Sequence, residues 1–334
     1  MKEALYYKKK GKGIVQCHLC PWNCVIADGK RGVCKVRENQ KGKLYSLVYA
    51  KPCSIAVDPI EKKPLFHFMP GHSSYSIGTV GCNLHCKFCQ NWTTSQASPE
   101  SFMVYETPPE KVVEEALANG CKSIAYTYNE PIIFYEYVWD TAKLARKAGL
   151  KNVLVSNGFI NEEPLKKLSK YIDAANIDLK AFDDGFYRKI TTAWLEPVLE
   201  SLKLLVKNNV WLEITNLIIP GLNDGPKKIE EMCIWIKNSL GKDVPLHFSR
   251  FFPQYNLQNT APTPAETLIK ARDIAKKAGL NYVYAGNIAI EGGSNTYCPK
   301  CNKLLVERGG FEVYKNNIKN GKCPCAHKID GVWG

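Results

Sequence analysis

Short apolar runs alternate with longer amphipathic stretches through most of the chain. The runs Tyr75–Val80, Ser123–Thr127, Asn152–Val155, Ala174–Leu179, Val210–Leu217 and Pro245–Phe251 predict strands, with Tyr282–Ala285 as a last one. Between them, Pro109–Asn119 opens on Pro and stops before Gly120, and Tyr135–Ala148 stops at Gly149, as helices do. Pro164–Lys170, Glu196–Lys207, Pro226–Ser239 and Thr263–Ala278 continue the helical spacing. About six βα units in succession predict an α/β fold whose parallel sheet curls into a partial (β/α)6 barrel. Chemistry in such barrels gathers at the C-terminal ends of the strands. The flanks read differently, with cysteines, Gly and Pro but no long periodic helix. The expected organisation is therefore an N-terminal Cys-rich unit over 1–75, a core over 76–290 and a C-terminal zinc-ribbon-like unit over 291–334.

Composition adds a sizeable buried core, since 45% of the 334 residues are hydrophobic. The opening MKEALYYKKKGKGIVQ lacks an apolar h-region, and no run of about 18 apolar residues occurs, so a cytoplasmic protein with no membrane partner is expected. Fourteen cysteines, most in close groups within a long chain, favour metal ligation over disulfides. The net charge of +13 would suit an anionic partner, but basic residues such as Lys143, Arg146 and Lys147 are scattered along helices. A solvated surface is the simpler reading, and nucleic acid is not the expected partner.

The segment directly after the first barrel strand carries Cys82, Cys86 and Cys89 in a C-x3-C-x2-C spacing. Three thiolates can hold three irons of a [4Fe–4S] cube and leave the fourth iron open to a ligand. A zinc knuckle would need paired C-x2-C units making four, and no fourth cysteine is near. Cys17, Cys20, Cys24 and Cys34 make a separate C-x2-C-x3-C-x9-C set, suited to zinc or a second iron–sulfur cluster. Cys298, Cys301, Cys323 and Cys325 resemble a zinc-ribbon pair whose second arm is one residue short, which leaves His327 as an alternative to Cys325. Cys53, Cys121 and Cys233 stand singly and read as core residues.

The three-cysteine loop, with the aromatic Phe88 before its last cysteine and Gln90 after it, resembles the radical SAM family. The resemblance implies that S-adenosylmethionine is chelated at the open iron and cleaved by a low-potential electron to a 5′-deoxyadenosyl radical. Thr127-Tyr128-Asn129-Glu130-Pro131 is similar to the family's Gly-Gly-Glu-Pro, with Asn129 and Glu130 then facing the cofactor. Ser156-Asn157-Gly158 and Asp178-Leu179-Lys180 resemble motifs of glycyl-radical activating enzymes, which implies cofactor contacts for Asn157, Asp178 and Lys180. His247 lies where those enzymes carry a cofactor-contacting histidine, although a core histidine fits the position equally well.

Residues 76–260 resemble pyruvate formate-lyase activating enzyme. The whole chain, from Cys17-His18-Leu19-Cys20 to Ile329-Asp330-Gly331-Val332-Trp333, resembles the AmmeMemoRadiSam system radical SAM enzyme. That implies AMMECR-like and Memo-like partner proteins and a low-potential electron donor. Hydrogen abstraction from an unidentified substrate is the expected function, with activation of a glycyl-radical partner as the alternative. A metal-stapled nucleic-acid-binding or scaffold protein is the competing class.

Overall fold

The computed structural model describes residues 1–104 and 106–333. Its N-terminal part holds β1 (Lys2–Glu3), β2 (Tyr7–Gly11), β3 (Ile14–Cys17), β4 (Val25–Ile26), β5 (Arg37–Gln40) and β6 (Lys43–Ser46), arranged in two small sheets of order β1-β6-β5 and β2-β3-β4. β7 (Ser54–Pro59) leaves this region and pairs antiparallel with β8 (Ser73–Gly78). From β8 onward come β9 (Ser123–Tyr126), β10 (Lys151–Ser156), β11 (Ala174–Asp178), β12 (Trp211–Ile218), β13 (Leu246–Arg250) and β14 (Val283–Gly286), each parallel to its predecessor.

The connections are helical. After the one-turn α1 (Trp92–Ser95), the crossovers are α2 (Pro109–Ala118), α3 (Tyr135–Lys147), α4 (Glu162–Ser169), the short α5 (Asp184–Phe186) with α6 (Glu196–Lys207), α7 (Pro226–Ser239) and α8 (Ala265–Lys277). The strand order β14-β13-β12-β11-β10-β9-β8-β7 follows the sequence, so the sheet is wound in one direction and ends in two open edges. This is the expected partial barrel. The seven expected barrel strands are present, and β7 is an eighth, at the sheet edge and antiparallel to β8. Its alternate residues Ile55 and Val57 are exposed, as an edge strand permits.

Helix faces follow from spacing. In α3, Tyr135, Val138, Ala142 and Ala145 are buried at steps of three and four while Lys143, Arg146 and Lys147 are not, so one face packs on the sheet. α3 also ties down the N-terminal part through Glu136, which accepts from both Arg37 Nη1 (3.0 Å) and Nη2 (2.7 Å) and from the Leu5 amide. Both side chains of this pair are 2% exposed.

The interior opposite the C-terminal ends of the strands is closed by Phe66, His67 and the last residues of the chain. The Val332 amide donates to the His67 carbonyl (2.7 Å) and its carbonyl accepts from the Met69 amide (2.6 Å), and β15 (Thr296–Tyr297), β16 (Leu304–Gly309) and β17 (Glu312–Asn316) form a small antiparallel sheet against this segment. His67 Nδ1 lies 2.7 Å from the Asp330 carbonyl, which can only accept, so Nδ1 carries the proton and Nε2 accepts from Tyr284 Oη at 2.6 Å. Burial pushes the His67 imidazole down to about 4, against the pull of the Glu213 charge. The unfolded chain therefore takes up a proton below about pH 6.5 that the folded chain refuses. Stability is then expected to fall by up to about 3 kcal/mol as pH drops from 6.5 towards 4. Urea unfolding at pH 7 and pH 5 checks this, because His67→Gln should flatten the slope and an unchanged slope would rule His67 out.

A cavity built on the strand ends

β8 ends at Gly78, and the loop that follows carries the cysteines over the C-terminal face of the sheet. The loop is fastened along its length. His85 and Lys87 amides donate to the carbonyls of Thr191 (3.0 Å) and Ile190 (2.9 Å), and the Gly81 amide donates to Thr94 (3.0 Å). Trp22 Nε1 donates to the Asn83 carbonyl at 2.8 Å, while Asn83 Nδ2 donates to Phe159. Gly81 sits at φ +94°, and a Cβ there would stand 2.6 Å from Val36 Cγ1 and 2.8 Å from the Cys34 carbonyl. Only glycine lets the N-terminal part approach the loop this closely.

The loop and the strand ends enclose a cavity of about 210 Å³ whose lining contains three cysteines, Cys82, Cys86 and Cys89. Burial pushes the Cys86 thiol up to about 12 and the Cys82 thiol well above its usual range, the latter reinforced by the Glu130 carboxyl. Cys89 Sγ lies 3.1 Å from Ser95 Oγ. Thiols held neutral by burial are converted to thiolates when a metal centre supplies positive charge. The donor set fits an iron–sulfur cube with one iron left free of cysteine.

Most of the residues expected from sequence meet here. Phe88, Gln90, Asn129, Asn157, Asp178 and Lys180 line the same cavity. Lys180 Nζ pairs with Asp178 Oδ2 at 3.0 Å and lies over the Phe88 ring. Burial opposes the ammonium charge, but Asp178 and Cys86 outweigh it and hold the Lys180 pKa above its usual value. Asn157 donates to Asn83 Oδ1 at 2.9 Å and reaches Cys82 Sγ at 3.8 Å. Asn129 is held by the loop itself, donating to the Thr79 carbonyl (2.6 Å) and accepting from Thr94 Oγ1 (3.0 Å).

Two expected residues stand outside the cavity wall. Glu130 is fully buried behind it and accepts from the Asn157 amide (2.8 Å), Ser156 Oγ (2.7 Å) and the Ile132 amide (3.0 Å). Burial raises its pKa to about 7 despite those donors. It fixes Asn157 from behind. His247 lies one layer deeper, where its Nε2 donates to Glu213 Oε2 at 2.7 Å and its ring packs on Phe66 and Tyr284.

The strand alternation that buries His247 points Ser249 the same way one step nearer the strand end, and Ser249 lines the cavity. Leu217 lines it too, as do Thr215 and Asn287, which were not singled out by sequence; Thr215 and Leu217 continue the face of Glu213 along β12. Asn287 Nδ2 donates to Ser249 Oγ at 2.9 Å. The period-two spacing was the available signal for the strand residues.

The other cysteine groups have different geometries. Sγ atoms of Cys298, Cys301, Cys323 and Cys325 all lie within 4.8 Å of one another, with Cys298–Cys325 at 3.7 Å and Cys301–Cys323 at 3.6 Å. Thiolates about 2.3 Å from a tetrahedral ion stand about 3.8 Å apart, so the set suits one zinc ion. The short second arm closes through Cys325 itself. Cys17, Cys20, Cys24 and Cys34 line a separate small cavity of about 20 Å³. Cys121 and Cys233 are buried singly, and Cys53 is half-buried. Among the described residues no helix is long and apolar enough to cross a membrane.

Comparison with known proteins agrees with this architecture. An uncharacterized protein of Methanocaldococcus jannaschii is 47% identical over 99% of this chain and 100% of its own length. Pyruvate formate-lyase 1-activating enzyme of Escherichia coli K12 is 23% identical over 62% of this chain and 95% of its own. The crystal structure of Streptococcus suis SuiB bound to S-adenosylmethionine superposes with a TM-score of 0.51 at 11% identity, over 68% of this chain and 53% of that one, and shows a common fold. The Radical SAM superfamily profile matches residues 76–233, the stretch that builds the cysteine loop and most of the sheet, and the chain carries a radical SAM domain there.

Proposed function

We propose that the 210 Å³ cavity is the active site, with Cys82, Cys86 and Cys89 ligating a [4Fe–4S] cluster and the remaining walls receiving S-adenosylmethionine. The observation that carries this reading is the convergence of three cysteines with the Asp178–Lys180 pair and Asn157 on the strand ends. When bound, the cluster and S-adenosylmethionine supply a 5′-deoxyadenosyl radical for hydrogen abstraction. The chain's own residues orient and shield that chemistry. Asp178 offers a carboxylate and Lys180 an ammonium to the zwitterionic end of the cofactor, while Phe88 and Leu217 keep water from the wall between them. Gln90 and Asn129 flank the cysteines, Glu130 positions Asn157, and His247 supports the strand end from below.

The AmmeMemoRadiSam assignment belongs to the same reading, supported by the cysteine groups at both ends of the chain. It brings AMMECR-like and Memo-like proteins as partners, alongside a low-potential electron donor. Activation of a glycyl-radical partner is the second reading, favoured by the activating-enzyme relatives. The flanking units over 1–75 and 291–334 serve the core as metal-stapled supports, the latter holding zinc.

Anaerobically reconstituted protein supplied with S-adenosylmethionine and a strong one-electron reductant is expected to yield 5′-deoxyadenosine. Protein carrying its full complement of iron yet forming none would sink the proposal. A glycyl-type electron-spin signal on an added partner would select the second reading.

A further inference from the structure

We infer that Cys17, Cys20, Cys24 and Cys34 hold a second iron–sulfur cluster of the four-iron type, and that Arg37 Nε donates a hydrogen bond to it. Two differences from the C-terminal cysteines carry the inference. There the sulfurs approach to 3.6 and 3.7 Å, the spacing of ligands on a single ion. Here the four cysteines line one small cavity together with Leu19, Trp22, Ile26 and Ile133, but their sulfurs are not gathered within 4.8 Å of one another as the C-terminal four are. A lone zinc ion draws its thiolates to about 3.8 Å apart, whereas a cube of four irons takes them at its corners, farther apart.

The second difference is charge. Arg37 lines this cavity and is 2% exposed. Its two terminal nitrogens are satisfied by Glu136 and the Leu5 carbonyl, but buried Nε has no hydrogen-bond partner. A buried guanidinium nitrogen without an acceptor is costly, and the sulfur atoms of a cluster with four thiolate ligands are anionic acceptors that would satisfy it. With Glu136 neutralising the guanidinium from one side, the cluster takes the remaining donor on the other.

The test is a metal count that does not depend on turnover. In the triple variant Cys82→Ala, Cys86→Ala, Cys89→Ala, anaerobic reconstitution with iron and sulfide should leave about four irons and four sulfides per chain, with charge-transfer absorption and about one zinc. Adding Cys20→Ala and Cys24→Ala, which leaves two thiolates, should remove that iron. A triple variant with no iron and about two zincs per chain would overturn the inference, as would iron that survives the two added substitutions. Should the fivefold variant not fold, the triple variant's counts decide alone. In the triple background Arg37→Lys keeps a cation beside Glu136 but removes Nε, so the remaining cluster's midpoint potential should fall; an unchanged potential would overturn the role of Arg37. These results are separable from the proposed function, whose failure would appear as absent 5′-deoxyadenosine in the unmutated protein.

Discussion

Cys86→Ala is expected to abolish 5′-deoxyadenosine formation, a loss well beyond the 10- to 100-fold that removal of a supporting group costs at a metal site, roughly stated. The residue contributes one of three cysteine ligands in the proposed cluster site, and a cube deprived of one thiolate is no longer fixed in the cavity. The loop itself should survive. Its backbone is tied on both sides of Cys86 through the His85 and Lys87 amides, and neither bond uses the thiol. Near-ultraviolet circular dichroism should therefore match the unmutated chain while the iron content and the product both fall. Cys53→Ala, which changes a half-buried cysteine outside the three groups, serves as the control and should keep both. Product formation by Cys86→Ala at a tenth or more of the normal rate would refute the assignment.

Glu213→Ala should cost about 3–5 kcal/mol of stability, because it strands several buried donors at about 1–3 kcal/mol each. Glu213 is fully buried on β12 and accepts from the Phe66 amide (3.0 Å), the His67 amide (2.7 Å), Trp211 Nε1 (3.0 Å) and His247 Nε2. Burial alone would raise its pKa, yet the His247 hydrogen bond, with that of the Phe66 amide, works against burial and the pKa is lowered. Truncation leaves four donors without an acceptor in the interior. Glu213→Gln keeps the volume and one acceptor oxygen, so its loss should be smaller. Urea denaturation of both variants decides the matter, and an alanine variant within about 1 kcal/mol of the parent would mean that water replaces the carboxylate.

The barrel was legible because βα alternation writes itself into periodicity. The helices Glu196–Lys207 and Pro226–Ser239 end where Pro and apolar spacing place them. β7 was not legible. It precedes no α-helix that would complete a βα unit, and it is defined by its antiparallel pairing with β8, a long-range contact that leaves no local pattern. The same holds for the site. Cys82, Cys86 and Cys89 declare themselves by spacing, and Asp178 and Lys180 by their place after a strand. Whether Glu130 and His247 reach the cavity or stand behind it depends on depth along the barrel axis, which alternation alone does not give. Asn287 reaches the cavity from beyond the last strand, where neither periodicity nor a motif marks it.

The close approach at Gly81 also constrains how this chain can vary. Val36 and the Cys34 carbonyl occupy the space into which any side chain at 81 would grow. Positions 36 and 81 are thus a steric pair, and the first fifty residues cannot be exchanged for those of a distant relative without regard to the loop they touch. Even in a lineage whose N-terminal part had drawn back from the sheet, a methyl group at 81 would still meet the strain of φ +94°. The two segments must accordingly be inherited together, as a lock and its frame are fitted together, although more than forty residues separate them along the chain.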